Sequence, residues 1–133
     1  MAGYLLDTNI ISDLMRHPNG RIATRIEQIG SERVCTSIVV VAEVRYGIAK
    51  SRSRRLPAQL AAILEGIDVL PFEAPGDVAY AELRTTLEQN SVPIGANDML
   101  IAAHALALGL TLVTDNEREF SRVQGLSTEN WLR

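Results

Sequence analysis

Tyr4-Leu5-Leu6-Asp7-Thr8-Asn9 is an apolar run that stops at a carboxylate and passes at once into the amphipathic segment Ile10-Ile11-Ser12-Asp13-Leu14-Met15. That pattern predicts a buried strand, an acid at its tip and a helix. In open α/β sheets ligands bind in the crevice outside the carboxyl ends of the strands, so an acid there is placed for chemistry. Asp7, Thr8 and Asn9 also read as helix caps, because all three types accept hydrogen bonds from the orphan amides of a first turn. The rest of the chain has to decide between cap and site.

Working outward, His17-Pro18-Asn19-Gly20 is a turn, and Ile22, Ile26 and Ile29 recur at helical spacing until Gly30 ends the segment. Val34-Cys35-Thr36 reads as a second strand with Ser37 as a cap. From Ile38 to about Lys50 a helix is expected, although the β-branched run Ile38-Val39-Val40-Val41 would also extend the strand. A helix over about 56–65, a strand over 68–72 and a helix over 78–87 behind Pro75 follow. Ala96 to Leu108 is a helix of small residues closed by Gly109, and Leu110 to Val113 is a strand. A short helix through Phe120 precedes a tail, 126–131, with the character of an edge strand. Strands alternating with helices predict a mostly parallel sheet covered on both faces.

A chain of 133 residues is expected to form one domain that buries about two-thirds of the surface its unfolded form exposes. The one cysteine, Cys35, has no internal partner, which predicts a reducing, cytoplasmic setting. Met1-Ala2-Gly3 carries no basic residue and the apolar run behind it meets Asp7, so no leader is expected. Nor does any apolar stretch approach the roughly 20 residues that a membrane helix needs. The net charge of −3 argues against a protein that coats nucleic acid, without excluding an enzyme that acts on one. Lys50, Arg52, Arg54 and Arg55 crowd four cations into six residues. They read either as a footprint for phosphates or as wet surface.

The end of the chain repeats its opening figure in Leu112-Val113-Thr114-Asp115-Asn116. If both strands are central and parallel, the two polar clusters lie side by side. Glu43 sits in the apolar stretch Ile38 to Val44, and Asp98 lies within the apolar helix that starts at Ala96. Acids are rarely buried unless paired or bound to a cation. Convergence of Asp7, Glu43, Asp98 and the Asp115-Asn116 pair on a divalent ion satisfies all of them. Unrelated caps and ion pairs remain the alternative. Oxygen-only donors favour Mg²⁺, or Mn²⁺ as a substitute, over Zn²⁺. Such a centre activates water and clamps a phosphate. His104 reads as packing or surface, and Tyr46 and Trp131 as core or partner contacts. With aromatics at 5%, a binder built on base stacking is not expected.

Asp7-Thr8-Asn9, Glu43 within Val41-Ala42-Glu43-Val44-Arg45-Tyr46-Gly47, Ile94-Gly95-Ala96-Asn97-Asp98 with the helix behind it, and Thr114-Asp115-Asn116 with Glu119-Phe120 occur in this order. Together they resemble a PIN domain over almost the whole chain. The length and the closing Glu129-Asn130-Trp131 are similar to those of VapC toxins of bacterial type II toxin–antitoxin systems. The resemblance implies a three-layer α/β fold and a Mg²⁺-dependent endoribonuclease that attacks structured RNA such as tRNA. It also implies a VapB-type antitoxin as partner, a homodimer of toxins and no membrane attachment. Asp7, Glu43 and Asp98 match the metal-holding acids, Thr114 the adjacent hydroxyl and Asn9 a polar supporting residue. The family's fourth acid falls on Asn116, which brings no charge, while the neighbouring Asp115 offers one; a one-metal centre is the expectation. A phosphatase using Asp7 as nucleophile would want an acid where Asn9 stands. A non-catalytic partner-binding module and a nuclease acting on DNA remain rival readings.

Overall fold

A computed structural model describes residues 3–133. Met1 and Ala2, part of the segment expected to carry no leader, lie outside the described residues. The elements follow in the order β1 (Tyr4–Leu6), α1 (Thr8–Arg16), α2 (Arg21–Ile29), β2 (Val34–Ser37), α3 (Ile38–Ser51), α4 (Leu56–Gly66), β3 (Asp68–Leu70), α5 (Gly76–Gln89), α6 (Ala96–Leu108), β4 (Thr111–Val113), α7 (Glu117–Phe120) and β5 (Thr128–Glu129). A 3-10 turn at Ser31–Arg33 leads into β2.

The strands form one five-stranded sheet in the order β3-β2-β1-β4-β5, with every pairing parallel. β1 is the middle strand, and Leu5 pairs with Cys35 on one side and Leu112 on the other. Leu5, Leu6, Leu112 and Val113 are fully buried, as a strand covered on both faces requires. The chain leaves β1 towards β2 on one side and returns as β4 on the other. That makes the β1/β4 boundary a topological switch point, where open sheets leave a crevice at the strand ends. The amide of Asp7 donates to the Val113 carbonyl at 2.9 Å, carrying the pairing one step past β1. Helices cover the sheet as an α/β layered fold: α1 contacts α2, α3 and α4, and α5 packs along α6.

The ambiguous run Ile38 to Val41 is helical. Ser37 decides it, because its hydroxyl accepts the Val39 amide at 3.0 Å and caps α3. The third strand stops at Leu70 rather than at 72, since Pro71 has no N–H to continue the ladder. Helix α5 begins at Gly76, earlier than the apolar periodicity indicated, and runs through Gln89. Gly109 closes α6 with φ +66°, a left-handed conformation in which a side chain would be strained. The tail supplies β5 at the sheet edge beside β4. Trp131 anchors that tail, buried with its ring 5.3 Å from Tyr4.

His104 is a core residue. Its Nδ1 lies 2.8 Å from the Ser37 hydroxyl and its ring meets the Phe72 ring edge-on at 5.4 Å. Burial holds its pKa below the usual imidazole value. Burial likewise pushes the Cys35 thiol up to about 11, leaving it a poor nucleophile. Among the described residues no helix is long and apolar enough to cross a membrane.

Candidate metal and phosphodiester site

Asp7 stands at the N-cap position of α1, yet its side chain makes no capping hydrogen bond further into the helix than Thr8. The side chain turns into the crevice instead, 3% exposed, where Oδ2 accepts a hydrogen bond from the Thr114 hydroxyl at 2.8 Å. Burial raises its pKa; the bonds from Thr114 and the Thr8 amide pull the other way, and nearby Glu43 and Glu119 add to the rise. The cap and site readings of the opening stretch are thus separated by where the carboxylate points.

Helix α3 brings Glu43 to the same crevice. Its Oε1 accepts from the Thr8 hydroxyl at 2.6 Å and its Oε2 from the Asn97 amide at 3.1 Å. The first turn of α6 supplies Asp98, whose pKa is pushed up to about 7 by burial and then by the charges of Asp7, Glu119 and Glu43. The interaction between the Asp98 and Glu119 carboxyls adds to the rise at Asp98 and to the fall at Glu119.

Glu119, on α7, belongs to the motif quoted from the sequence, which gave it no role in the site. It accepts the Gly95 amide at 2.8 Å through Oε1 and the Asn116 side-chain amide at 2.7 Å through Oε2. The Gly95 amide is the main reason its pKa lies below the usual glutamate value. The available signal was an acid three residues after Asn116, one turn along a short helix that begins at the polar cluster. Gly95 admits this arrangement by lacking a side chain: a Cβ there would sit 3.3 Å from Asp98 Oδ2 and 3.9 Å from Glu119 Oε1.

The two residues competing for the fourth acidic position separate clearly. Asn116 borders the crevice and spends its side-chain amide on Glu119, while its backbone amide donates to the Thr114 hydroxyl at 2.9 Å. Asp115 is exposed and turns away, with Oδ1 accepting the Asn130 amide at 2.9 Å. Asn9 ties the two polar clusters together, its Oδ1 accepting the Asp115 backbone amide at 3.0 Å. Asp7, Glu43, Asp98, Asn9 and Asn116 therefore border one cavity of about 370 Å³, with Arg16 at its rim. Asp115 is not in its wall.

The donors are oxygens, and the charges of Asp7, Glu119 and Glu43 add to burial in pushing Asp98 up. A hard divalent ion suits that donor set. The carboxylates stand apart nonetheless: among the described residues no three His, Cys, Asp or Glu side chains are grouped closely enough to hold an ion without turning. Glu43 is held by its bonds from Thr8 and Asn97.

A PIN-domain family model matches residues 4–126. The chain is 38% identical over 130 residues to Ribonuclease VapC2 of Rickettsia felis, covering 96% of this chain and 97% of that protein. It is 36% identical over 135 residues to the tRNA(fMet)-specific endonuclease VapC of Shigella flexneri, covering 98% and 99%. Among solved structures it superposes on VapBC2 from Rickettsia felis bound to a DNA fragment from their promoter, with a TM-score of 0.92 and 37% identity over 98% and 99% of the two chains. VapBC-1 from nontypeable Haemophilus influenzae matches with a TM-score of 0.88 and 33% identity over 100% of each.

Proposed function

This chain belongs to the PIN-domain family, and we propose that it is the VapC-type ribonuclease toxin of a toxin–antitoxin pair, a Mg²⁺-dependent endoribonuclease acting on structured RNA such as tRNA. The observation that carries the activity is the crevice at the β1/β4 switch point, where Asp7, Glu43 and Asp98 present carboxylates to one cavity. The names of the two relatives supply RNA as the substrate class.

Asp7, Glu43 and Asp98 are the residues that would hold the ion. When bound, Mg²⁺ would polarise the scissile phosphate and make a water more acidic. The chain's own part is positioning. Thr114 fixes Asp7 through its hydroxyl, Thr8 and Asn97 fix Glu43, and Gly95 with Asn116 fix Glu119. Asp98, whose carboxyl burial pushes up, would be favoured in its ionised form by a bound cation. Asn116 contributes no charge of its own, so a single ion is the expected stoichiometry.

The solved relatives named above as VapBC carry an antitoxin partner in their names. An apolar groove of about 450 Å³ between α1, α2 and α4, walled by Leu14, Met15, Ala23, Ile26, Ile63 and Ile67, offers this chain a seat for an apolar segment of such an antitoxin.

Total bacterial RNA incubated with purified protein tests the reading, with Mg²⁺ or with EDTA, beside the Asp7→Asn variant. Discrete fragments only from the unaltered chain with metal are expected. An unchanged RNA pattern under all conditions, with no Mg²⁺-induced rise in melting temperature, would assign the fold to partner binding instead. Cleavage of DNA but not RNA would move the substrate class.

A further inference from the structure

The acidic cavity does not end at Glu43. A second cavity of about 330 Å³ adjoins it, and the two share Thr8, Ser12, Arg16 and Glu43 as wall residues. The result is a continuous trench along the seam of α1 and α3. Its floor is apolar, formed by the buried Met15 and Val44 with Ile48 beside them. One turn beyond Glu43 the α3 wall is Gly47, where an added Cβ would meet nothing within 4 Å. The trench stays open because that residue has no side chain. Its far end is Leu56, the first residue of α4, directly after the basic run Lys50 to Arg55.

Glu43, Tyr46, Gly47 and Lys50 recur at helical spacing, so they form one stripe on α3. Tyr46, expected from sequence to be core or a partner contact, is 66% exposed, with the Lys50 ammonium 5.3 Å from its ring centroid. From Glu43 to Lys50 the helix rises about 10 Å. Arg16 leans loosely on Asp13 at 3.9 Å with 63% of its side chain exposed, which leaves its guanidinium available. Among the described residues, Arg52, Arg54 and Arg55 close no ion pair.

We infer that this trench is the track for the RNA strand on one side of the scissile phosphate: Arg16 grips the next phosphate, Tyr46 stacks on a base, and Arg52, Arg54 and Arg55 hold the backbone beyond. The inference rests on the nuclease reading above and adds where the substrate runs. It reconciles a net-negative chain with a polyanionic substrate, since cations stand along the trench while the acids lie in the cavity at its end. One exposed aromatic ring beside the site suffices for a stacking contact even in a chain poor in aromatics.

The test uses an RNA that the unaltered protein cuts, with KM and kcat measured for Arg16→Ala, Tyr46→Ala, Tyr46→Phe and Gly47→Leu. Gly47→Leu fills open space on a helix and so leaves the fold intact. KM is expected to rise about tenfold for Tyr46→Ala, the scale of one lost base stack, and to rise for Arg16→Ala and Gly47→Leu. Tyr46→Phe is expected to behave as the unaltered chain, because the ring is kept. The Mg²⁺-induced melting shift should be the same in all four. Reversing Arg52, Arg54 and Arg55 to Glu should also make RNA binding less dependent on salt. Unchanged KM in Tyr46→Ala and Gly47→Leu would overturn the track while leaving the nuclease intact. Unchanged KM with weakened binding of a co-purified antitoxin would assign the trench to a polypeptide. Absence of RNA cleavage by the unaltered chain would refute the nuclease reading itself and the track with it.

Discussion

Replacing Asp98 by Asn is expected to stabilise the metal-free protein while abolishing cleavage. In the folded chain the Asp98 carboxyl is pushed up to about 7, against 3.8 for an unperturbed aspartate, first by burial and then by the charges of Asp7, Glu119 and Glu43. The native state therefore binds a proton that the unfolded state has already released, and stability falls as pH rises from about 4 to about 7. At 1.4 kcal/mol per pH unit the full shift amounts to about 4 kcal/mol. Asp98 is only half-buried, and solvent screening reduces this to about 1–2 kcal/mol. Asn cannot ionise, so the variant escapes the penalty. Thermal melting in EDTA across pH 4 to 8 is the assay. A gain of roughly 3–8 °C over the unaltered chain is expected at pH 8, shrinking to nothing near pH 4. Mg²⁺ should then reverse the ranking, because it raises the melting temperature of the chain that keeps all its carboxylates. A variant that melts at or below the unaltered chain at pH 8, or a gain that persists at pH 4, would refute the electrostatic account of this cluster.

Three further outcomes follow from the same geometry. Asp7→Asn should lower RNA cleavage by roughly 10²–10³-fold with an unchanged far-ultraviolet circular dichroism spectrum; cleavage near the normal rate would remove Asp7 from the metal site. Thr114→Val keeps the volume of a fully buried side chain but strips partners from Asp7 Oδ2 and the Asn116 amide. It should cost about 1–3 kcal/mol, read as a lower urea midpoint, and an unaltered midpoint would show those bonds to be dispensable. Gly95→Ala sets a Cβ 3.3 Å from Asp98 Oδ2 at a backbone φ of −60°, which any residue adopts. Displacement of a carboxylate by a few tenths of an ångström should reduce kcat about tenfold with little change in melting temperature; equal kcat would mean that Asp98 has room to move.

The opening stretch carried its meaning locally. An apolar run ending at Asp7 and a 3.6-residue period after it are properties of neighbouring residues, and the structure has β1 and α1 where they indicate. The repeat of that figure at Thr114 placed a second strand beside the first, and the acids stranded in apolar helices, Glu43 and Asp98, marked themselves by the cost of burying charge. Sequence could not decide whether Ile38 to Val41 was strand or helix, because β-branched residues serve both; a hydroxyl two residues before Val39 settled it.

What the sequence determined by itself was therefore the alternation of strands and helices and the identity of the acids that need company, since both follow from short-range pattern and from desolvation. Only the tertiary structure decided which polar group faces which. Asp115 turns to Asn130, Asn116 holds Glu119, and Glu119 reaches Gly95, 24 residues away in the chain. Tyr46 stays in solvent and His104 enters the core against Ser37, 67 residues distant. Those directions are set when crossover connections bring β1, β4, α3 and α6 to one end of the sheet. No periodicity along the chain encodes the direction in which a side chain finds its partner there.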